Sequence, residues 1–265
     1  MAILSREVFK GSHWYRADGT PLHSIPTKDG DKVRSTTLAD ARKMKLFPSV
    51  TSILGVFSKP QLEKWKMNQV AIAAFKSQPQ KEESEEYYCK RIINAAFEQV
   101  GDAAQLGSNI HAALELGIAG EEYNPELDVY VKPVIEWIKK TNIQIIEREK
   151  VLVNLVHGFA GTTDVLFRFN SDGIGIIDYK TRKTKPGEEI VAYDGQAMQL
   201  AAYAATYFGE DRIDEVLAAN VFISSNEPGR MEVVKHSDMR KHWEAFKMAT
   251  CLWRYMNSYD PRTVK

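Results

Sequence analysis

The chain has 265 residues, 44% of them hydrophobic and 26% charged, and its formal net charge is zero. That is an ordinary globular composition, long enough for one large domain or one with a small unit appended. Neutrality excludes a global basic field of the kind that announces a nucleic-acid partner, so any such surface has to be local. The two cysteines, Cys89 and Cys251, lie far apart. They exclude a disulfide framework and, with no C-x-x-C pair, a cysteine-held zinc or iron–sulfur motif. They are expected as buried or half-buried thiols in a reducing compartment. The opening MAILSREVFKGSHWY has no apolar h-region and no run approaches a membrane span, so a cytoplasmic protein is expected.

In chain order, HWYRADGTPLHSI reads as two short strands around Asp18-Gly19, followed by the loop TKDGDK. Pro48-Ser49 signals a helix start in FPSVTSILGVF, and Lys59-Pro60 opens a helix whose apolar spacing runs through Leu62, Trp65, Val70 and Ala73. Three more helices are expected, from Glu82 to about Val100, from Asp102 to about Ala119, and over Val129 to Lys140. Near Asn142 the period changes. IQIIEREKVLVNLV, HGFAGTTDVLFRF and IGIIDYKT read as strands, the last two joined at NSDG. An amphipathic helix over Tyr193 to Tyr207, strands over Glu215 to Ser224 and in MEVVKH, and a closing helix over Ser237 to Tyr255 complete the chain. Helices first and then βββ-α-ββ-α predict an α/β fold of mixed α+β type: a central mixed sheet flanked by helices, with an N-terminal helical region. The organisation expected is an N-terminal hairpin and helical region over residues 1–140 and a core over 141–265, forming one integrated globular unit.

The hairpin 161–181 carries the chemistry. Residues two apart on a strand share a face, so Asp178 and Lys180 point together, with Ile174 and Ile176 behind them. Asp164 on the preceding strand meets Asp178 only if the loop is odd in length, three or five residues centred near Ser171. A four-residue NSDG loop sets Asp164 opposite Tyr179 instead, unless a bulge restores the alignment, and Gly158 and Gly161 favour a bulge or a close backbone approach. Two adjacent carboxylates repel, so one takes a proton or both share a cation. A divalent ion with a lysine beside it is what phosphodiester hydrolysis needs. The alternative is a purely structural ion-pair cluster.

These residues resemble the PD-(D/E)xK nuclease superfamily, in its RecB-type exonuclease branch. GFAGTTDVLF, IIDYKT and QAMQLAAYA are similar to its core, LGSNIHAALE to its histidine helix, and IEREKVL to the strand that often brings a glutamate. The flanks FPSVTSIL and HSDMRKHWEAF are similar to those of the mitochondrial genome maintenance exonuclease group and its phage-encoded relatives. The resemblance implies a restriction-endonuclease-like core and a site made of His111, Asp164, Asp178 and the Tyr179 carbonyl as ligands of Mg²⁺ or Mn²⁺. Lys180 would position or activate water, Glu149 (or Glu147, two residues away) would supply a further carboxylate, and Gln199 would line the site. Tyr203 would pack beneath it or touch DNA. The four-cysteine cluster of some relatives is excluded here.

The implied activity is a metal-dependent deoxyribonuclease, in first place an exonuclease on single-stranded DNA ends in replication, repair or recombination, acting in a host-cell cytoplasm if phage-encoded. A structure-selective endonuclease and a silent nucleic-acid-binding module are the alternatives. No G-x-x-x-x-G-K-[ST] loop is present, so a helicase, like a polymerase or single-strand-binding protein, would be a separate partner. For DNA contacts, the run KTRKTK offers Arg182, Lys183 and Lys185, and Trp65 among Lys59, Lys64 and Lys66 offers a stacking surface, although Trp65 also fits a core stripe.

Overall fold

The computed structural model describes residues 13–262 other than positions 31 and 171, and other than the side chains at 99, 100 and 194. Most of the opening MAILSREVFKGSHWY, and Ser171 in the expected turn, lie outside the described residues. Strand β1 is Trp14–Tyr15, β2 is Ser24–Pro26 and β3 is Val33–Ser35. Helix α1 (Leu38–Met44) leads to β4 (Phe47–Pro48) and the short α2 (Val50–Ile53), capped by the Ser49 hydroxyl. Helix α3 (Pro60–Lys76), α4 (Glu85–Ala119) and α5 (Asp128–Thr141) follow. Then come β5 (Gln144–Asn154), β6 (Phe159–Phe169), β7 (Gly173–Arg182), α6 (Asp194–Phe208), β8 (Val216–Ser224), β9 (Met231–His236) and α7 (Met239–Asn257).

The last five strands make one sheet in the order β5-β6-β7-β8-β9, antiparallel except for the parallel pair β7–β8 that α6 joins. The fold is therefore mixed α/β. Alternation along the strands builds two cores. Leu166, Ile174, Ile176 and Ala218 face α6 and α7, where Leu200, Trp243 and Phe246 meet Trp14 from the chain's beginning. Val165, Phe167, Ile177 and Val221 face α4 and α5, against Ile110, Leu114, Val131 and Val134. Each fully buried aliphatic side chain contributes about 1.5–3 kcal/mol of hydrophobic stabilisation. No helix among the described residues is long and apolar enough to cross a membrane.

Several local expectations change. The turn at Asp18-Gly19 forms, but only one bridge, Tyr15 to Pro21, spans it. The longer pairings are β1 with β4, and β2 with β3 across TKDGDK. The two helices expected on either side of Gly101 are one, the 35-residue α4. A lone helical glycine costs only about 1 kcal/mol, less than packing of the C-terminal half returns. Its N-cap is Ser84, with Glu85 and Glu86 in the first turn, where the helix dipole favours acids. Helix α3 has no buried residue, and Trp65 is 42% exposed beside Phe97. Its apolar spacing meets α4 on one side and, among the described residues, no second layer, so the core-stripe reading of Trp65 fails. Cys89 and Cys251 are both exposed rather than buried, because each sits on the solvent side of its helix.

Gly117 sets the spacing between α4 and α5. A β-carbon there would come within 2.8 Å of Tyr123 and 2.9 Å of Ile135. Gly117→Val should lower the denaturant midpoint by the equivalent of about 1–3 kcal/mol, the usual cost of overpacking. Gly101→Ala on the same helix, with nothing within 4 Å, should be neutral or mildly stabilising.

Candidate metal centre

The β6–β7 hairpin closes from Phe169–Gly173 and pairs as far as Val165–Ile177, leaving a three-residue loop at 170–172. This is the shorter of the two odd lengths, and the register carried one step further sets Asp164 across from Asp178. Asn170 takes φ +52° in that loop, a conformation asparagine tolerates. Beyond Val165 the ladder gives way. The Tyr179 amide donates to Asp164 Oδ2 at 2.6 Å, so a carboxylate stands where a backbone carbonyl would. Leu166 faces the α6 core, yet Gly161, five residues away, faces the Tyr203 ring on that same helix. The alternation therefore slips around Asp164. A β-carbon at 161 would come within 2.6 Å of the Tyr203 hydroxyl, which is the close approach its glycine allows. The pairs Arg148–Val165 and Lys150–Thr163 bracket Glu149 and Asp164 on β5 and β6. Glu149 takes φ +44°, a strained conformation for a non-glycine residue, of a kind that clusters at functional sites.

Helix α4 lays His111 over this gap. Its Nδ1 is 3.8 Å from Asp164 Oδ2, and its ring stands perpendicular to that of Tyr179 at 6.0 Å. His111, Glu149 and Asp164 each offer a ligand atom within 4.8 Å of the others. They line a cavity of about 10 Å³ with Glu115, Ile118, Arg148, Val165 and Tyr179. That is about the room one small occupant needs. One imidazole and two carboxylates are a donor set suited to a metal ion. Of the two glutamates, Glu149 belongs to this group; Glu147 bonds Lys150 at 3.1 Å and lines an adjacent opening of about 540 Å³.

Asp178 stands apart from the three. Its Oδ2 accepts from Lys180 Nζ at 2.5 Å and from Asn220 Nδ2 at 2.8 Å, and its Oδ1 accepts from Gln199 Nε2 at 3.2 Å. Burial and the neighbouring charges set the direction of each shift here. Burial, then the charges of Asp178 and Glu149, push the Asp164 carboxyl well above its ordinary range, against the opposing pull of Lys180 and the Tyr179 amide. Burial alone would lower Lys180, but Asp178 and Asp164 together outweigh it and hold the ammonium above the usual lysine value. Burial, then the Asp164 charge, raises the Tyr179 phenol, whose hydroxyl has no hydrogen-bond partner among the described residues.

Of the remaining expected residues, Tyr203 is buried under the hairpin at 3% exposure, so of its two expected places it takes the one beneath the site. Arg182 donates to the Val191 carbonyl at 3.1 Å and lies over the rings of Tyr193 and Phe222, holding the loop after β7. Lys185 pairs with Glu188 at 3.1 Å, and Lys183 is exposed. Trp65 lies on α3, outside the cluster. Sequence reading missed Asn220 and Arg148, the latter donating to the Glu115 carbonyl at 2.8 Å. An amide inside the apolar run AANVFIS was the available signal for Asn220, but its face depends on register.

No protein-family model matches the chain, and no curated protein does. Among solved structures, the chain is similar to one titled "Crystal structure of SSO0001", at 15% identity over 77% of this chain and 89% of that one, with a TM-score of 0.34. At that distance nothing about the site transfers.

A carboxyl with a raised folded-state pKa binds its proton more tightly folded than unfolded. Its stabilising contribution is full below the ordinary range near 4 and is lost as pH rises through the raised value. In metal-free buffer the melting temperature of the wild type, taken relative to that of Asp164→Asn, should therefore fall from pH 4 towards neutrality. Adding Mn²⁺ at neutral pH should raise the wild-type melting temperature and leave Asp164→Asn unmoved.

Proposed function

We propose that the protein is a divalent-metal-dependent deoxyribonuclease of the PD-(D/E)xK type, acting as an exonuclease on single-stranded DNA ends. The observation that carries this reading is the meeting of His111, Glu149 and Asp164 at ligand spacing beside the Asp178–Lys180 pair. His111, Glu149 and Asp164 would hold the ion, with the Tyr179 carbonyl on the neighbouring strand, while Asp178, bonded to Lys180, Asn220 and Gln199 on the α6 face, would act through the lysine rather than as a ligand. When bound, such an ion supplies Lewis-acid charge at a phosphodiester oxygen. Hydrolysis forms a bond from water oxygen to phosphorus and breaks the bond from phosphorus to the leaving sugar oxygen.

Lys180 stays protonated near neutrality, because its neighbours hold it above the usual lysine range. That favours orienting water and neutralising developing negative charge over acting as the base. Asp178 aims the ammonium, and Gln199 aims Asp178. Preference for single strands draws support from α3 and the first half of α4. Trp65, Phe75 and Tyr87 are exposed there by 42, 84 and 62%, as unstacked bases require of a platform. Lys59 and Lys64 add charge for the backbone, while Lys66 pairs with Glu63 at 2.9 Å. Tyr87 lies 24 residues before His111 on α4, about 36 Å along a helix rising 1.5 Å per residue. One element would thus join platform to site.

The test is cleavage of end-labelled single strands, duplexes and circular single strands in Mg²⁺, Mn²⁺ or EDTA. Loss of linear strands only with metal, with circles spared and Lys180→Ala reduced at least about 100-fold, is the expected result. Cut circles would replace the exonuclease with an endonuclease. Metal-independent binding without cleavage would sink the enzyme reading.

A further inference from the structure

Asp178 is held from a third side, by a file of side chains crossing the sheet away from the metal group. Strands β7 and β8 run parallel with Asp178 in register with Asn220. The Asn220 side chain is fully buried, and its Nδ2 lies 2.8 Å from Asp178 Oδ2. Its Oδ1 lies 2.8 Å from Nε2 of His236 on β9. His236 pairs with Ala218, two residues from Asn220 and on the same face, so the contact is a cross-strand diagonal. The ring of His242 on α7 stands perpendicular to His236 at 6.5 Å.

The polarity of the file is fixed. A carboxylate only accepts, so the Asn220 amide must turn its nitrogen to Asp178 and its oxygen to His236. His236 must then carry its proton on Nε2. A flipped amide would set two acceptors face to face. The amide answers a buried carboxylate on one side and a ring nitrogen on the other. Its same-face neighbours Ala218 and Phe222 are buried and apolar, and an aliphatic residue here would leave Asp178 Oδ2 and His236 Nε2 each one partner short.

We propose that Asn220 and His236 are positioning residues for Asp178: His236 fixes the amide, and the amide fixes the carboxylate that aims Lys180. This rests on the nuclease reading. Without the file the carboxylate turns about its terminal torsion, and the Lys180 ammonium loses its direction. His236 sits on the outermost strand and is half-buried, so it can be replaced with less risk to folding than Asn220.

The experiment compares wild type with His236→Leu, which removes the donor, and His236→Gln, whose amide nitrogen takes the Nε2 place. Turnover and KM on a single-stranded substrate are measured separately, with melting temperature alongside. The expected result is a fall in kcat of about 10- to 100-fold in His236→Leu with KM little changed, and recovery of most of it in His236→Gln. Full activity in His236→Leu, or an equal loss in both variants, overturns the proposal. Nitrogen-15 NMR reads the file without cleavage. An Nε2–H tautomer, with the Asn220 amide resonance shifted in His236→Leu and restored in His236→Gln, upholds it. An Nδ1–H tautomer or an unmoved Asn220 resonance overturns it. A wild-type protein that cleaves nothing would remove the nuclease reading and leave the file to be judged by NMR alone.

Discussion

Buried like charge is the constraint around which this structure is arranged. The three-residue loop brings Asp164 towards Asp178, and the strand beyond adds Glu149. Such carboxylates repel in a poorly solvated setting, and each has a different answer. Asp178 is met by one cation and two amides, from Lys180, Gln199 and Asn220. Asp164 has a backbone amide and a histidine nearby, and its carboxyl stays well above the ordinary range. The imbalance matters. One carboxylate is fixed by the protein itself, while the other sits where a bound cation relieves the most repulsion.

The N-terminal half of the chain is tied to this arrangement by α4. Its C-terminal half packs against the sheet and α5, where Gly117 lets the helices approach, and this packing sets the height of His111 above Asp164. Its N-terminal half carries α3, whose side chains have no second layer to enter among the described residues. The same rigid element is therefore a core helix at one end and a solvated one at the other. The opposite face of the sheet is supported differently. Trp14 packs with Trp253 and Tyr259, so the beginning and end of the described chain close over α6, which in turn places Gln199 and Tyr203 under the hairpin.

The strain at Glu149 and the slip of alternation around Asp164 occur at the same level of the two strands. A regular ladder would send Asp164 to the α6 side and His111 to the other, with the sheet between them. The interruption lets one carboxylate be reached from the α4 face while Asp178, two strands from the edge, remains on the α6 face. The candidate centre depends on that defect as much as on the residues.

Local chemistry in the sequence determined the mixed sheet, the shared face of Asp178 and Lys180, and the condition that an odd loop would bring Asp164 to Asp178. Period two and loop parity are short-range properties, and a chain displays them directly. Tertiary structure alone decided the rest. It chose Glu149 over Glu147 through an irregular turn of the backbone that no period reveals. It merged two expected helices across Gly101, because packing of the far end outweighs one glycine. It left Trp65, Cys89 and Cys251 at the surface, since an apolar spacing does not say whether a second layer exists to meet it. It also placed Asn220 between Asp178 and His236, a contact made by the pairing of strands 42 and 16 residues apart in the chain, which only the assembled sheet creates.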